Sequence, residues 1–328
     1  MSKTKYTAIL AAAAITAVTL SGCSVSADST PDKSRLKVVC TVFPAYDWVK
    51  QITGSRADEM DITYLLGSGT DLHNFQPTAD DIIRISDCDL LVYAGGESDE
   101  WVTDALEGSS KKDTVVVSML DIIGDRAREE EVKEGMQGEE EEGEEGKEEP
   151  EYDEHVWLSL KNAKVICGGI TDALCSLDPE GADTYRAGLN SYSAELDGLD
   201  SEFRELADGA EIKTVVFGDR FPFRYFVDDY GLDYYAAFVG CSAETEASFE
   251  TVIFLAQKLD ELGCKTIYTI ENSDQSIART IIDNTEAKDQ SIAVLDSLQS
   301  VSSADIEGGE TYISAMRKNY DVLKNTLK

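Results

Sequence analysis

Between Asp178 and Ala207 the chain carries one unbroken amphipathic pattern, and this segment constrains the architecture most. Tyr185, Leu189, Tyr192, Leu196, Leu199, Phe203 and Leu206 recur at intervals of three and four, with Pro179 near the start. That period puts them on one face of an α-helix. At ~1.5 Å per residue, roughly 28 residues span about 40 Å, enough to tie two lobes together.

On both sides of this helix, short β-branched runs alternate with helical stretches. Before it, LKVVCTVF, MDITYLLG (60–67), DLLVYAG (89–95) and TVVVSML (114–120) read as buried strands. AYDWVKQIT, ADDIIRISDC and EWVTDAL between them read as helices, and LKNAKVICGGITDALCSL (160–177) as another. After it, KTVVFG, LDYYAAFV, KTIYTIE and SIAVLD (291–296) alternate with FRYFVDDYG, SFETVIFLAQKLDELG and DQSIARTIIDNT, and TYISAMRKNYDVLKNTL closes the chain. Alternation of this kind predicts parallel sheets flanked by helices, here two α/β lobes joined by one long rigid helix. The expected division is an N-terminal lobe over 37–177, a linking helix over 178–209 and a C-terminal lobe over 210–328. In such folds, sites form at the carboxyl ends of the strands, here facing the cleft between lobes.

The 328 residues carry 29 Lys+Arg against 64 Asp+Glu, a formal charge of −35, with 42% hydrophobic residues. A core of that size excludes global disorder. The charge argues against nucleic acid, whose backbone needs a basic face, and disfavours electrostatic docking on anionic lipid. Residues 129–154 alone hold fifteen acidic and two basic residues, net −13, leaving −22 elsewhere. This run falls in a Glu- and Gly-rich stretch, 125–154, expected to be a solvated, disordered insertion in the first lobe. Such a surface attracts cations.

Residues 1–22 combine Lys3 and Lys5, an apolar run from Ala8 to Leu20, and Ser21-Gly22 before Cys23. The run suits an export signal and is short for a membrane span. Leu20-Ser21-Gly22-Cys23 resembles the lipobox of bacterial lipoproteins, which implies cleavage before Cys23 and lipidation of its thiol. The polar stretch 23–36 then reads as a flexible tether. The expected location is extracytoplasmic, anchored to the cell membrane. Cys40, Cys88, Cys167, Cys175, Cys241 and Cys264 show no CxxC spacing and sit mostly in apolar segments, which favours buried free thiols.

Only two histidines exist. His73 lies in GTDLHNFQPT and His155 in EYDEHVWL, each beside acidic residues. A carboxylate next to an imidazole orients it and raises its basicity, which favours a metal bond. These residues carry a resemblance. VFPAYDWVKQITG, DLHNFQPTADDIIRISDCDLLVYAGGESDEWV, DEHVWLSLKNA, the long helix, FRYFVDDYGL, and VLDSL followed by GETYISAMRKNYDVL together resemble the cluster A-I substrate-binding lipoproteins of bacterial zinc and manganese ABC importers. The resemblance covers essentially the whole chain after the leader.

It implies a metal held between the lobes by a His from each of the two N-lobe segments, a His or Glu from a C-lobe loop, and a C-lobe Asp or Glu. Carried over, His73 and His155 take the first two places and Asp296 the last. The third departs from the pattern. One alignment puts Arg220 there, and arginine stays protonated and cannot ligate a cation. Another puts Asp219 there. Asp219, Glu244 and water are the options, Asp219 first. Two imidazoles with two carboxylates suit zinc first and manganese second. The resemblance implies an ABC permease as partner, a monomer, and little hinge motion on binding. A surface adhesin or sensor is the competing role. An anchored metallohydrolase is weaker, since HExxH and GxSxG are absent, and no catalytic residues are expected.

Overall fold

The computed structural model describes residues 35–109, 111, 113–138, 151–242 and 246–327, which form one compact unit. The leader, Cys23 and nearly all of the tether, and also Glu244, lie outside the described residues.

The first half runs β1 (Leu36–Cys40), α1 (Phe43–Thr53), β2 (Met60–Tyr64), α2 (Ala79–Asp87), β3 (Leu90–Tyr93), α3 (Trp101–Glu107), β4 (Val115–Ser118) and α4 (Met119–Ile123). Then come α5 (Leu160–Leu177) and the long α6 (Ala182–Gly209). The second half is β5 (Thr214–Phe221), α7 (Arg224–Tyr230), β6 (Asp233–Val239), α8 (Phe249–Leu262), β7 (Thr266–Ile270), α9 (Ser276–Asp283), β8 (Ser291–Leu295), α10 (Ser303–Glu307) and α11 (Tyr312–Thr326).

Local chemistry sets many boundaries. Thr78 accepts from the Asp81 backbone N–H, and Asp81 returns the bond to Thr78, a capping box that starts α2. Ser118 accepts from the Asp121 N–H at 3.1 Å and so turns β4 into α4, ending the strand two residues before the expected limit. Ser248 starts α8 the same way.

All strands pair in parallel, in the orders β2-β1-β3-β4 and β6-β5-β7-β8. In the first sheet Val38 faces Ile62 and Leu90, and Leu90 faces Val115. In the second, β5 extends past the expected end at Gly218 and carries a register shift between Phe217 and Arg220. A bulge re-aims side chains at a strand end, and here it turns Asp219 and Arg220 toward the cleft.

A single hydrophobic cluster runs through both halves, from Val38 and Leu90 to Phe217 and Ala236. The face of α6 expected from the periodicity is the buried one, with Tyr185, Tyr192, Leu196, Leu199 and Phe203 all inside. Tyr312 of α11 stands at the junction. Its ring meets Trp48 of α1 edge-on at 5.1 Å, its backbone N–H donates to Asp47, and its hydroxyl donates to the Trp157 carbonyl at 2.5 Å. Trp157 in turn donates from Nε1 to the Ser297 carbonyl at 2.8 Å. The six cysteines after Cys23 are free thiols, with Cys175 and Cys241 half-buried and the other four buried.

The expectation of a disordered insertion over 125–154 fails at both of its described ends. Glu129 pairs with Tyr152, and the Gln137 N–H donates to the Ala237 carbonyl at 2.9 Å. Arg128 pairs with Asp228, Glu131 with Arg224 and Lys133 with Asp233. The basic residues interspersed in the run, and cationic partners across the cleft, fix these ends against the second half.

Candidate metal centre

The strand order places the loops after β2 and β3 and the segment before α5 at one edge of the first sheet. His73 sits in a single helical turn, Leu72–Asn74, whose preceding Asp71 accepts from the His73 N–H at 3.0 Å. His155 precedes a similar turn, Val156–Leu158, and is fully buried. The two rings meet across the sheet edge, Nε2 to Nε2 at 3.1 Å.

Their outward nitrogens are both engaged. His155 Nδ1–H donates to Asp153 at 2.9 Å, and the same carboxylate oxygen accepts from the His155 backbone N–H at 2.8 Å. His73 Nδ1–H donates to the Ser98 hydroxyl oxygen at 2.8 Å, with Glu154 Oε1 at 3.2 Å from the same nitrogen. The Ser98 hydroxyl donates onward to Glu154. This network assigns the proton of each ring to Nδ1. Both Nε2 lone pairs then point at one another, an arrangement that asks for a cation between them. Two imidazole nitrogens bound tetrahedrally to zinc at ~2.0–2.1 Å sit about 3.3 Å apart, close to the separation found.

The surroundings are acidic and buried. Asp153 and Glu154 are buried at 3% and 0% exposure. Burial pushes the Glu154 carboxyl up to about 7, against the pull of His155 and the Ser98 bonds. Burial works against a charge on His155, but Asp153, Glu154 and Glu130 outweigh it and raise its pKa. His73 moves the other way, well below the ordinary value, through burial and then the repulsion of His155 and Arg220. Backbone fit is tight: a Cβ at Gly96 would lie 2.5 Å from the Glu154 Cβ, and one at Gly240 would lie 3.1 Å from His155 Cε1.

The second half closes the site from β5 and β6. Cys241, two residues past the end of β6, groups with His73 and His155, their ligand atoms all within 4.8 Å of one another. Its backbone N–H donates to Glu130 at 3.2 Å. Burial, reinforced by Glu154 and Glu130, holds the thiol pKa well above its ordinary value. A cavity of about 440 Å³ beside His73 is lined by Asp219, Arg220, Ser242 and Glu271 among others.

These elements match a family model described as "ZnuA: Zinc-uptake complex component A periplasmic" over residues 38–326. The chain belongs to this family. Among its relatives, the "High-affinity zinc uptake system protein ZnuA" of Bacillus subtilis is 32% identical over 302 residues, 92% of this chain and 90% of the relative. The "Zinc-binding lipoprotein AdcA" of Streptococcus pneumoniae is 31% identical over 296 residues, 89% of this chain. The chain spans 56% of AdcA, about half of that longer relative. The solved Zn(II)-bound ZnuA-like domain of S. pneumoniae AdcA superposes with a TM-score of 0.68 at 29% identity, covering 89% of this chain and 99% of that domain.

Of the expected metal-site residues, the fold brings His73 and His155 together. Asp219 and Asp296 are not in the close group. The Asp219 carboxylate accepts from the Arg220 N–H at 2.9 Å and the Ile270 N–H at 3.4 Å, at the cavity wall. Asp296 accepts from the Leu298 N–H at 2.8 Å, and its own backbone is bracketed by Asn319. Burial, then Glu271, pushes its carboxyl up to about 6. Arg220 pairs with Asp71, so the departure from the family pattern becomes a tie between the second half and the His73 turn. The sequence reading missed Cys241. Its only signal is position, two residues after the strand LDYYAAFV and three before Glu244.

Proposed function

We propose that the protein captures one divalent metal ion, zinc first and manganese second, outside the cytoplasmic membrane and passes it to the permease of an ABC importer. The observation that carries this is the pair of carboxylate-oriented imidazoles whose bare Nε2 atoms face each other at 3.1 Å. The named zinc-binding relatives support the same ion. His73 and His155 supply the nitrogen ligands; Asp219, the expected carboxylate, lies on the wall of the adjoining cavity, where its oxygens accept from the Arg220 and Ile270 N–H groups. Asp296 belongs to the same expected set, and ligation would take it from the Leu298 N–H. Among the described residues no helix is long and apolar enough to cross a membrane. In this reading residues 1–22 are a leader, and a lipid on Cys23 with the polar tether holds a monomeric receptor at the membrane.

Native mass spectrometry with metal analysis, on protein purified without chelators, tests the proposal. One zinc per chain is expected, lost in His73→Ala and in His155→Ala while the metal-free fold persists. Stoichiometric metal retained in both variants would refute it.

A further inference from the structure

We infer that Cys241 supplies a thiolate sulfur as the third protein ligand, and that this sulfur sets the preference of the site for zinc over manganese. The inference rests on the reading of His73 and His155 as the metal pair and names what completes it.

Three observations lead here. Among the described residues, Cys241 is the one that joins both imidazoles in a group within 4.8 Å. The carboxylates expected from the second half are engaged elsewhere, Asp219 with two backbone N–H groups and Asp296 with Leu298. The chain also holds Cys241 in place from two sides, through the Glu130 bond to its backbone N–H and through the side-chain-free Gly240 that lets the His155 ring lie against this turn.

A zinc ion with nitrogen at ~2.0–2.1 Å and sulfur at ~2.3 Å needs N···S separations of about 3.6 Å. The group as it stands requires a closure of about 1.2 Å at most, within reach of a turn at a strand end. On ligation the S–H bond breaks and the metal–sulfur bond forms. The proton passes to the Glu154 carboxylate, whose Oε1 accepts from the thiol at 4.0 Å, and from there to solvent. The product is two neutral imidazoles and one thiolate around a dication, with a fourth position open.

Ligand chemistry then decides selectivity. Thiolate with imidazole suits zinc, while manganese favours carboxylate, carbonyl and water. A site built with sulfur where the family pattern has His or Glu therefore discriminates against manganese at the first coordination sphere.

The test uses the full mature chain with Co(II), Zn(II) and Mn(II) as probes. Wild-type protein loaded with Co(II) should show sulfur-to-cobalt charge-transfer absorption in the near ultraviolet, and Cys241→Ser should lack it. The ratio of manganese to zinc Kd should fall in Cys241→Ser by at least about tenfold, the smallest loss typical of even an outer-sphere partner. Cys241→His, which restores a zinc-favouring ligand, should recover zinc affinity without the band. Unchanged melting of metal-free Cys241→Ser would show that the fold survives. Absence of the band in wild type, or an unchanged Kd ratio in Cys241→Ser, would overturn the inference. If instead His73→Ala and His155→Ala kept their metal, the histidine site itself would be wrong.

Discussion

Replacing Asp153 by alanine isolates what a carboxylate does for a metal-facing imidazole. Asp153 Oδ1 accepts twice, from the His155 backbone N–H at 2.8 Å and from Nδ1–H at 2.9 Å, and it is buried. Alanine removes both bonds. The ring then loses its fixed tautomer and its orientation, and Nε2 points at the ion only part of the time. Loss of such a partner weakens metal binding by about 10–100-fold, or about 1.4–2.7 kcal/mol. Asp153→Asn separates geometry from charge. Its amide oxygen still accepts from Nδ1–H, so it should retain more affinity than alanine. Competition against a chromophoric zinc chelator gives both Kd values on the same protein preparation. An Asp153→Ala Kd equal to wild type, in protein with unchanged circular dichroism, would refute the claim that this bond orients the ligand.

Acidification should weaken zinc binding, and the pH profile should steepen once. Ligation needs neutral imidazole. His155 is held above the ordinary His value and His73 well below it, so His155 alone takes its proton first as the pH falls. The fall in affinity then gains about one decade per pH unit; titration calorimetry across this range would expose the error if two decades, or none, were added. Arg220→Ala unties the His73 turn from the second half and should destabilise the protein by about 1–3 kcal/mol, with weaker zinc binding; denaturant melts of this variant and of Asp71→Asn should be strongly non-additive. Zinc at a hundredfold excess over Kd should stabilise the wild-type chain by about 2.7 kcal/mol and raise its Tm, whereas His73→Ala should melt alike with and without zinc. Excising residues 139–149 should leave the zinc Kd unchanged, while excising 129–151 should weaken it by removing Glu130; equal behaviour of the two deletions would contradict the role given to that residue.

The layered architecture was legible because it depends on local pattern. The period of α6, the β-branched runs and the Gly stops at Gly54, Gly231 and Gly263 are all short-range signals. Boundaries slipped where a polar side chain captured a backbone group, as Ser118 does, or where a bulge prolonged a strand, as in β5. The two histidines were legible through their acidic neighbours, but the division of labour was not. Asp153 serves its own histidine while Glu154 reaches across to the neighbourhood of the other, a crossing that only the sheet edge creates. Cys241 was invisible for the same reason. Its partners lie 86 and 168 positions away, so no spacing rule could mark it. The ends of the acidic run were misread because composition reports charge and not the partners opposite, Asp228 for Arg128, Arg224 for Glu131 and Asp233 for Lys133.

The Trp157–Ser297 and Tyr312–Trp157 bonds rivet the segment beside His155 to the far half through buried aromatic rings. If the chain is the metal receptor proposed above, these bonds oppose a jaw-like opening of the two halves. Release would then fall to the rim, at the His73 turn, which the Arg220–Asp71 pair ties to the other half at the mouth of the groove.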